Sequence, residues 1–98
     1  MAYKLYWSEE AVSNLEGIIS FLESNWTEKE IDKFKHLLSK NLELITIFPT
    51  IFPKSEKIPN LRRAVLSKQI SIFYQIIEET IYITYLFDNR QSQDKLKY

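Results

Sequence analysis

Cysteine is absent from the sequence, and glycine occurs once, at position 17. Without cysteine there are no disulfides and no thiolate metal ligands, and a reducing cytoplasm is the default expectation. A single glycine cannot build the Gly-rich loops that cradle phosphates, which excludes most nucleotide-binding motifs at once. Histidine also occurs once, as His36. The acidic pairs Glu9-Glu10 and Glu78-Glu79 do not add up with it to a ligand cluster, so no metal and no cofactor is expected. No apolar run approaches the roughly 18–20 residues that span a bilayer, and no membrane partner is expected. The opening MAYKLYWSEE has no long apolar stretch, so no signal peptide is expected. Net charge is missing as well: 13 Lys and Arg balance 13 Asp and Glu, which argues against nucleic-acid binding by bulk electrostatics.

What is present fits one soluble globular domain over residues 1–98. Such a domain buries roughly 60–70% of the surface its unfolded chain exposes, enough for a core without staples. The balanced charge is unevenly placed. Residues 1–48 hold five Lys against eight Asp and Glu, a net of −3, and residues 49–98 hold eight Lys and Arg against five acids, a net of +3. A slightly acidic half therefore precedes a slightly basic one.

The organising stretch is Leu61 to Arg90. It contains three runs rich in Ile, Phe, Tyr and Val, separated only by Ser67-Lys68-Gln69 and Glu78-Glu79. Such residues suit a pleated, half-buried surface, and connections this short force antiparallel neighbours. Strands are expected at about Leu61–Leu66, Ile70–Ile77 and Ile81–Phe87. The last two are apolar on both faces, with Ile72, Tyr74 and Ile76 on one side and Phe73 and Ile77 on the other. That pattern implies central strands covered on part of both faces.

Upstream, YKLYW reads as a strand from Tyr3 to Trp7, with Tyr3, Leu5 and Trp7 sharing a face opposite Lys4 and Tyr6. Ser8 caps a helix from about Glu9 to Glu23, whose first turn carries Glu9 and Glu10. Ala11, Leu15, Ile18, Ile19 and Leu22 follow at helical spacing. Gly17 inside this helix costs about 1 kcal/mol relative to Ala, which a close helix crossing would explain. Ser24-Asn25-Trp26 forms the connection. Thr27 and Glu30 form a capping box for a long amphipathic helix, about Glu28 to Ile47, with an apolar stripe of Ile31, Phe34, Leu37, Leu38, Leu42, Ile45 and Phe48. The short link makes the helices an antiparallel hairpin. Pro49, Pro53 and Pro59 punctuate a loop over Pro49–Asn60, long enough for a functional role. The fold class is α+β, in the order β-α-α-β-β-β, with a helical hairpin packed on a mainly antiparallel four-stranded sheet.

Three stretches carry a resemblance to a known family. YKLYWSEEAVSNLEGIISFL places a polar-capped helix after a short strand, with Ala then Leu at fixed places. RRAVLSKQISIFYQIIEETIYI is an Arg-led hairpin with a Tyr in its central strand. YLFDNRQSQDKL is a last strand followed by an Arg-containing turn. With the order of elements, these make the chain similar to the RelE/ParE toxin superfamily of bacterial type II toxin–antitoxin systems, which includes plasmid stabilisation proteins. The resemblance spans nearly the whole sequence through loose patterns of apolar spacing plus an Arg. It implies a small cytoplasmic, growth-inhibiting toxin neutralised by a cognate antitoxin. RelE-like members cut messenger RNA in the ribosomal A site, whereas ParE-like members lack that nuclease set and poison DNA gyrase.

The candidate site residues follow from that resemblance. RNA cleavage needs a group to activate the ribose 2′-OH, cations for the charge on phosphorus, and an acid for the leaving oxygen. Arg90, at the end of the last strand, falls on the family's Arg; its other readings are a surface pair with Asp88 or a contact to antitoxin. Arg62 and Arg63 match basic positions of RelE-like members. As adjacent strand residues they point to opposite faces, so only one can face a given site. Both could equally be solvated charges that discourage edge pairing. Lys68 lies in a turn and His36 on the polar face of the second helix. Leu66 stands where RelE-like members carry a second Arg, and Leu96 where they carry a Tyr; Tyr98 comes two residues late. Trp7 and Trp26 read as packing residues, with partner anchors as the alternative.

Cations without a base fit a ParE-like protein that acts by binding a target such as DNA gyrase rather than as an enzyme. The alternative is a metal-independent messenger endoribonuclease using Arg90 with Arg62 or Arg63, with ribosome and mRNA as partners. The third reading is an inactive relic that only binds antitoxin. Antitoxin segments of this family fold on binding, which suits an amphipathic groove or an open strand edge.

Overall fold

The computed structural model describes residues 3–58 and 60–88. Its elements run β1 (Lys4–Trp7), α1 (Glu9–Asn25), α2 (Glu28–Ile47), β2 (Arg62–Val65), β3 (Ile70–Ile77) and β4 (Thr80–Asp88). The strands form one sheet in the order β1-β4-β3-β2. The meander β2-β3-β4 is antiparallel, and β1 pairs parallel to β4 with Leu5 opposite Ile81 and Trp7 opposite Ile83. The β-α-α-β-β-β order and the mainly antiparallel sheet agree with the expectation from sequence. No helix among the described residues is long and apolar enough to cross a membrane.

Local signals set the helix starts. Ser8 is extended and its hydroxyl accepts from the Ala11 amide at 2.9 Å, the usual satisfaction of a first-turn donor. Thr27 and Glu30 form the full capping box, each side chain taking the other's backbone amide. At its other end α1 continues two residues beyond Glu23. Asn25 Nδ2 donates to the Phe21 carbonyl and the Trp26 amide bonds to the Leu22 carbonyl, so the last turn closes later than the sequence indicates.

One face of the sheet carries the helices. Ala11, Ile18 and Leu22 of α1 and Phe34 and Ile45 of α2 bury against Ala64, Ile72, Tyr74, Ile81, Ile83 and Leu86. Each large side chain removed from water there contributes about 1.5–3 kcal/mol, so this layer dominates the stability. Trp7 and Trp26 pack partly against it, in the packing role expected of them. Two expectations fail. Phe48 ends outside the α2 stripe, 57% exposed, because the helix stops at Ile47 and Phe48 leaves helical geometry. Gly17 sits at no crossing: a Cβ there would meet nothing within 4 Å.

A bulge in β4 adjusts the two faces. Phe73 pairs with Tyr85 but Tyr74 pairs with Ile83, leaving Thr84 as the extra residue. Ile83 and Leu86 thereby both face the helices, and Tyr85 faces away. The start of α1 satisfies the backbone that the bulge frees: Ser8 Oγ donates to the Thr84 carbonyl at 2.7 Å, and Asn14 Oδ1 accepts from the Leu86 amide at 3.1 Å. The far face holds a smaller apolar group of Leu61, Phe73 and Tyr85, with Ile58 and Phe87 packed on it. Strands β3 and β4 are thus covered on both sides, as their composition implies.

Candidate functional site

Beside β2, on the face away from the helices, lies a cleft of about 570 Å³. Its lining combines Arg63, Val65, Phe73 and Phe87 of the sheet with the segment from Phe52 to Lys57. That segment is held as a strap along β2. Lys54 bridges to Arg62, the Arg63 amide donates to the Pro53 carbonyl at 3.0 Å, and the Ser55 amide donates to the Leu61 carbonyl at 2.7 Å. The strap brings Lys54 and Lys57 to the rim with Arg63, while Glu56 is the single carboxylate of the lining among the described residues. None of these four charged groups forms an ion pair among the described residues.

Register fixes the Arg63 side chain. It stands opposite Phe73 and beside the Ser71–Phe87 pair, all on the far face. Its Nε donates to Ser71 Oγ at 3.1 Å, and its guanidinium carbon lies 5.7 Å from the centre of the Phe73 ring. That ring stacks on Tyr85 at 4.5 Å with an interplanar angle of 10°. Cation and aromatic ring attract through the ring quadrupole, which adds to the hydrogen bond in orienting the guanidinium.

Arg62 points the other way, as strand alternation requires. Its Nη1 donates to the Phe52 carbonyl at 2.7 Å and approaches the Thr50 carbonyl at 3.4 Å. Its strand partner Tyr74 is fully buried and donates its hydroxyl to the Pro49 carbonyl at 2.7 Å. Burial pushes the Tyr74 phenol up to about 12, against the opposing pull of the Arg62 charge and of backbone hydrogen bonding at Phe52. A phenol so hard to ionise and shut away from the cleft is no general base. Together Arg62 and Tyr74 anchor the start of the loop to the helix side of the sheet.

Of the candidate site residues named from sequence that fall within the described residues, only Arg63 lines the cleft. Arg90, Leu96 and Tyr98 lie outside the described residues. His36 is exposed on α2, and Leu66 is buried in the main core. Among the described residues no group of three His, Cys, Asp or Glu side chains could hold a metal ion. The sequence reading missed Lys54, Glu56, Lys57, Ser71 and Phe73 as members of one site. A signal existed: four consecutive polar residues, Lys54-Ser55-Glu56-Lys57, just before a strand that opens with two arginines.

The arrangement defines a class by its fold. A structure of the chromosomal ParDE system of P. aeruginosa superposes with a TM-score of 0.74 at 13% identity, covering 89% of this chain and 96% of that one. The E. coli DinJ–YafQ toxin–antitoxin complex gives 0.65 at 7% identity over 95% and 99%. The intact E. coli RelBE toxin–antitoxin complex gives 0.61 at 19% identity over 89% and 96%. At such identities these likenesses establish the fold shared with the RelE/ParE superfamily. No curated protein matches the sequence. The family match is more specific: residues 5–92 fit the family described as ParE toxin of the type II toxin–antitoxin system, parDE. The chain belongs to that ParE toxin family.

Proposed function

We propose that this ParE-type toxin arrests growth by binding a cytoplasmic target, DNA gyrase, and that a cognate antitoxin holds it inactive. The observation that carries the reading is the make-up of the cleft among the described residues: three cations and one carboxylate around apolar rings, with no imidazole and no accessible phenol. Such a surface can hold an anionic or mixed partner, but among the described residues it holds no imidazole, the group most often used to take a proton from a ribose hydroxyl. The family match over residues 5–92 supports the same direction. An antitoxin partner is supported by the family description and by fold neighbours that are toxin–antitoxin complexes.

One observation favours a second reading. Glu56 shares the lining with Lys54, Lys57 and Arg63, so a carboxylate base beside cations is available for a metal-independent messenger endoribonuclease. Expression of the toxin alone in a bacterial host separates the readings. The binding reading expects growth arrest with an induced DNA damage response and intact transcripts. Transcripts cut within codons, without DNA breaks, would assign it to the nuclease; unimpaired growth would mark it as an inactive relic.

A further inference from the structure

The cations, the rings and the carboxylate of the cleft suit different parts of one small ligand. Arg63 supplies the oriented cation. Its Nε donates to Ser71 Oγ, and Ser71 is 1% exposed, so this contact is shielded from water. The Phe73 ring lies against the guanidinium, whose two terminal nitrogens make no hydrogen bond among the described residues. A guanidinium held in this way presents a fork that fits two oxygens of one anion. Lys54 and Lys57 stand in the same lining and only Glu56 opposes them, three positive charges against one negative, a net of +2 among the described residues. That charge matches a phosphate monoester, which carries about −1.5 to −2 near neutral pH, better than the single charge of a phosphodiester inside a strand.

Two rings offer faces for an aromatic group. Phe87 comes from the sheet and Phe52 from the strap, both half-buried in the lining of the same cleft. Phe73 is already stacked on Tyr85, but neither Phe52 nor Phe87 has a ring partner among the described residues. A nucleobase stacks on such faces whatever its identity. The cleft volume of about 570 Å³ is that of a site for one small ligand. Glu56 fits the same ligand. An ionised carboxylate only accepts hydrogen bonds, and Glu56 has no cation paired with it among the described residues. Beside a bound phosphate it needs donors of its own, which the two vicinal hydroxyls of a ribose supply.

We propose that the cleft binds a nucleoside 5′-phosphate, with the phosphate monoester on Arg63, Lys54 and Lys57, the base against Phe52 and Phe87, and the ribose hydroxyls on Glu56. The ligand is a free mononucleotide or the 5′-phosphorylated end of a single strand, which share this chemistry. The inference goes beyond the choice of cellular target and involves no bond cleavage.

Isothermal titration of the purified protein with adenosine 5′-monophosphate tests it, beside adenosine, ribose 5-phosphate and the 2′-deoxynucleotide. The nucleotide binds, and adenosine binds at least about tenfold more weakly. Arg63→Lys keeps the charge but loses the fork and weakens the nucleotide about tenfold. Phe87→Leu weakens the nucleotide about tenfold by loss of stacking, yet leaves ribose 5-phosphate unchanged. Glu56→Ala removes a preference of about fivefold for the ribonucleotide over its 2′-deoxy analogue. Thermal melts of the three variants confirm that the fold is retained. Short adenylate strands with and without a 5′-phosphate separate the two sources. Tighter binding of the phosphorylated strand than of the mononucleotide assigns the ligand to a strand end, and equal or weaker binding assigns it to the free nucleotide. No binding of the nucleotide at millimolar concentration, equal binding of adenosine, an unchanged affinity in Arg63→Lys, or an unphosphorylated strand that binds as tightly as the nucleotide overturns the proposal. The cellular readouts are separate: a DNA damage response with no nucleotide binding overturns this inference alone, whereas transcript cleavage overturns the choice of target and leaves the titration to decide the ligand.

Discussion

Replacing Tyr74 by Phe removes one oxygen at the point where the Pro49 loop is anchored. The Tyr74 hydroxyl donates to the Pro49 carbonyl at 2.7 Å, and both residues are buried. Phenylalanine leaves that carbonyl without its donor, at a cost of about 1–3 kcal/mol near neutral pH. For a domain of this length the thermal midpoint falls by roughly 4–8 °C per kcal/mol. A second consequence concerns pH. The phenol of Tyr74 is raised from 10.0 to about 12 in the folded protein, first by burial, so the folded state holds its proton more tightly than the unfolded chain. Its contribution is fully present below pH ~10 and is lost as pH rises through the folded value, a total of about 2–3 kcal/mol at 1.36 kcal/mol per pKa unit. Tyr74→Phe lacks that loss. Urea denaturation of both proteins, at neutral pH and then from pH 9 upward, isolates the effect because every other titrating group is common to the pair. The wild type is more stable at neutral pH, and its advantage shrinks or reverses in the alkaline range. A variant as stable as wild type at neutral pH, or a gap constant across the titration, refutes the reasoning.

Gly17→Ala stabilises the protein by about 1 kcal/mol, since the added methyl meets nothing and the helix gains propensity; a loss in urea denaturation would contradict this. Asn14→Ala orphans the Leu86 amide beside the β4 bulge and costs about 1–3 kcal/mol. Hydrogen exchange should show faster exchange at Leu86, and unaltered protection would contradict the assigned contact. Arg62→Ala removes the charged donor from the Phe52 carbonyl, worth about 1.5–3 kcal/mol. Urea denaturation reads the loss, and an unchanged stability would contradict the anchoring contact.

The sequence was informative where physics is local. Ser8 and Thr27 with Glu30 marked both helix starts, and alternation in Lys4–Trp7 assigned the faces of β1 correctly. Opposite orientations for Arg62 and Arg63 also followed from alternation alone. Features set by partners distant in the chain were not legible. The bulge at Thr84 has no composition of its own, and it appears only when β3 and β4 are paired. Arg63 acquires its partners from residues eight and ten positions later, through a register the two strands decide together. Arg62 looked like its equal in sequence, yet it is engaged by the Phe52 carbonyl on the opposite face. Lys54 and Lys57 lie in the Pro49–Asn60 loop, and only the bridge from Lys54 to Arg62 brings their segment along β2. Gly17 misled for a plain reason: a poor helix former can be tolerated without a packing role.

The central claim is that this toxin works by holding its target rather than by cutting RNA. The most direct measurement adds the purified protein to a DNA gyrase supercoiling reaction and, in parallel, to ribosomes translating a defined messenger. The account predicts loss of supercoiling by the wild type, weaker loss with Arg63→Ala, and an intact messenger. A cleaved messenger with supercoiling untouched would contradict it.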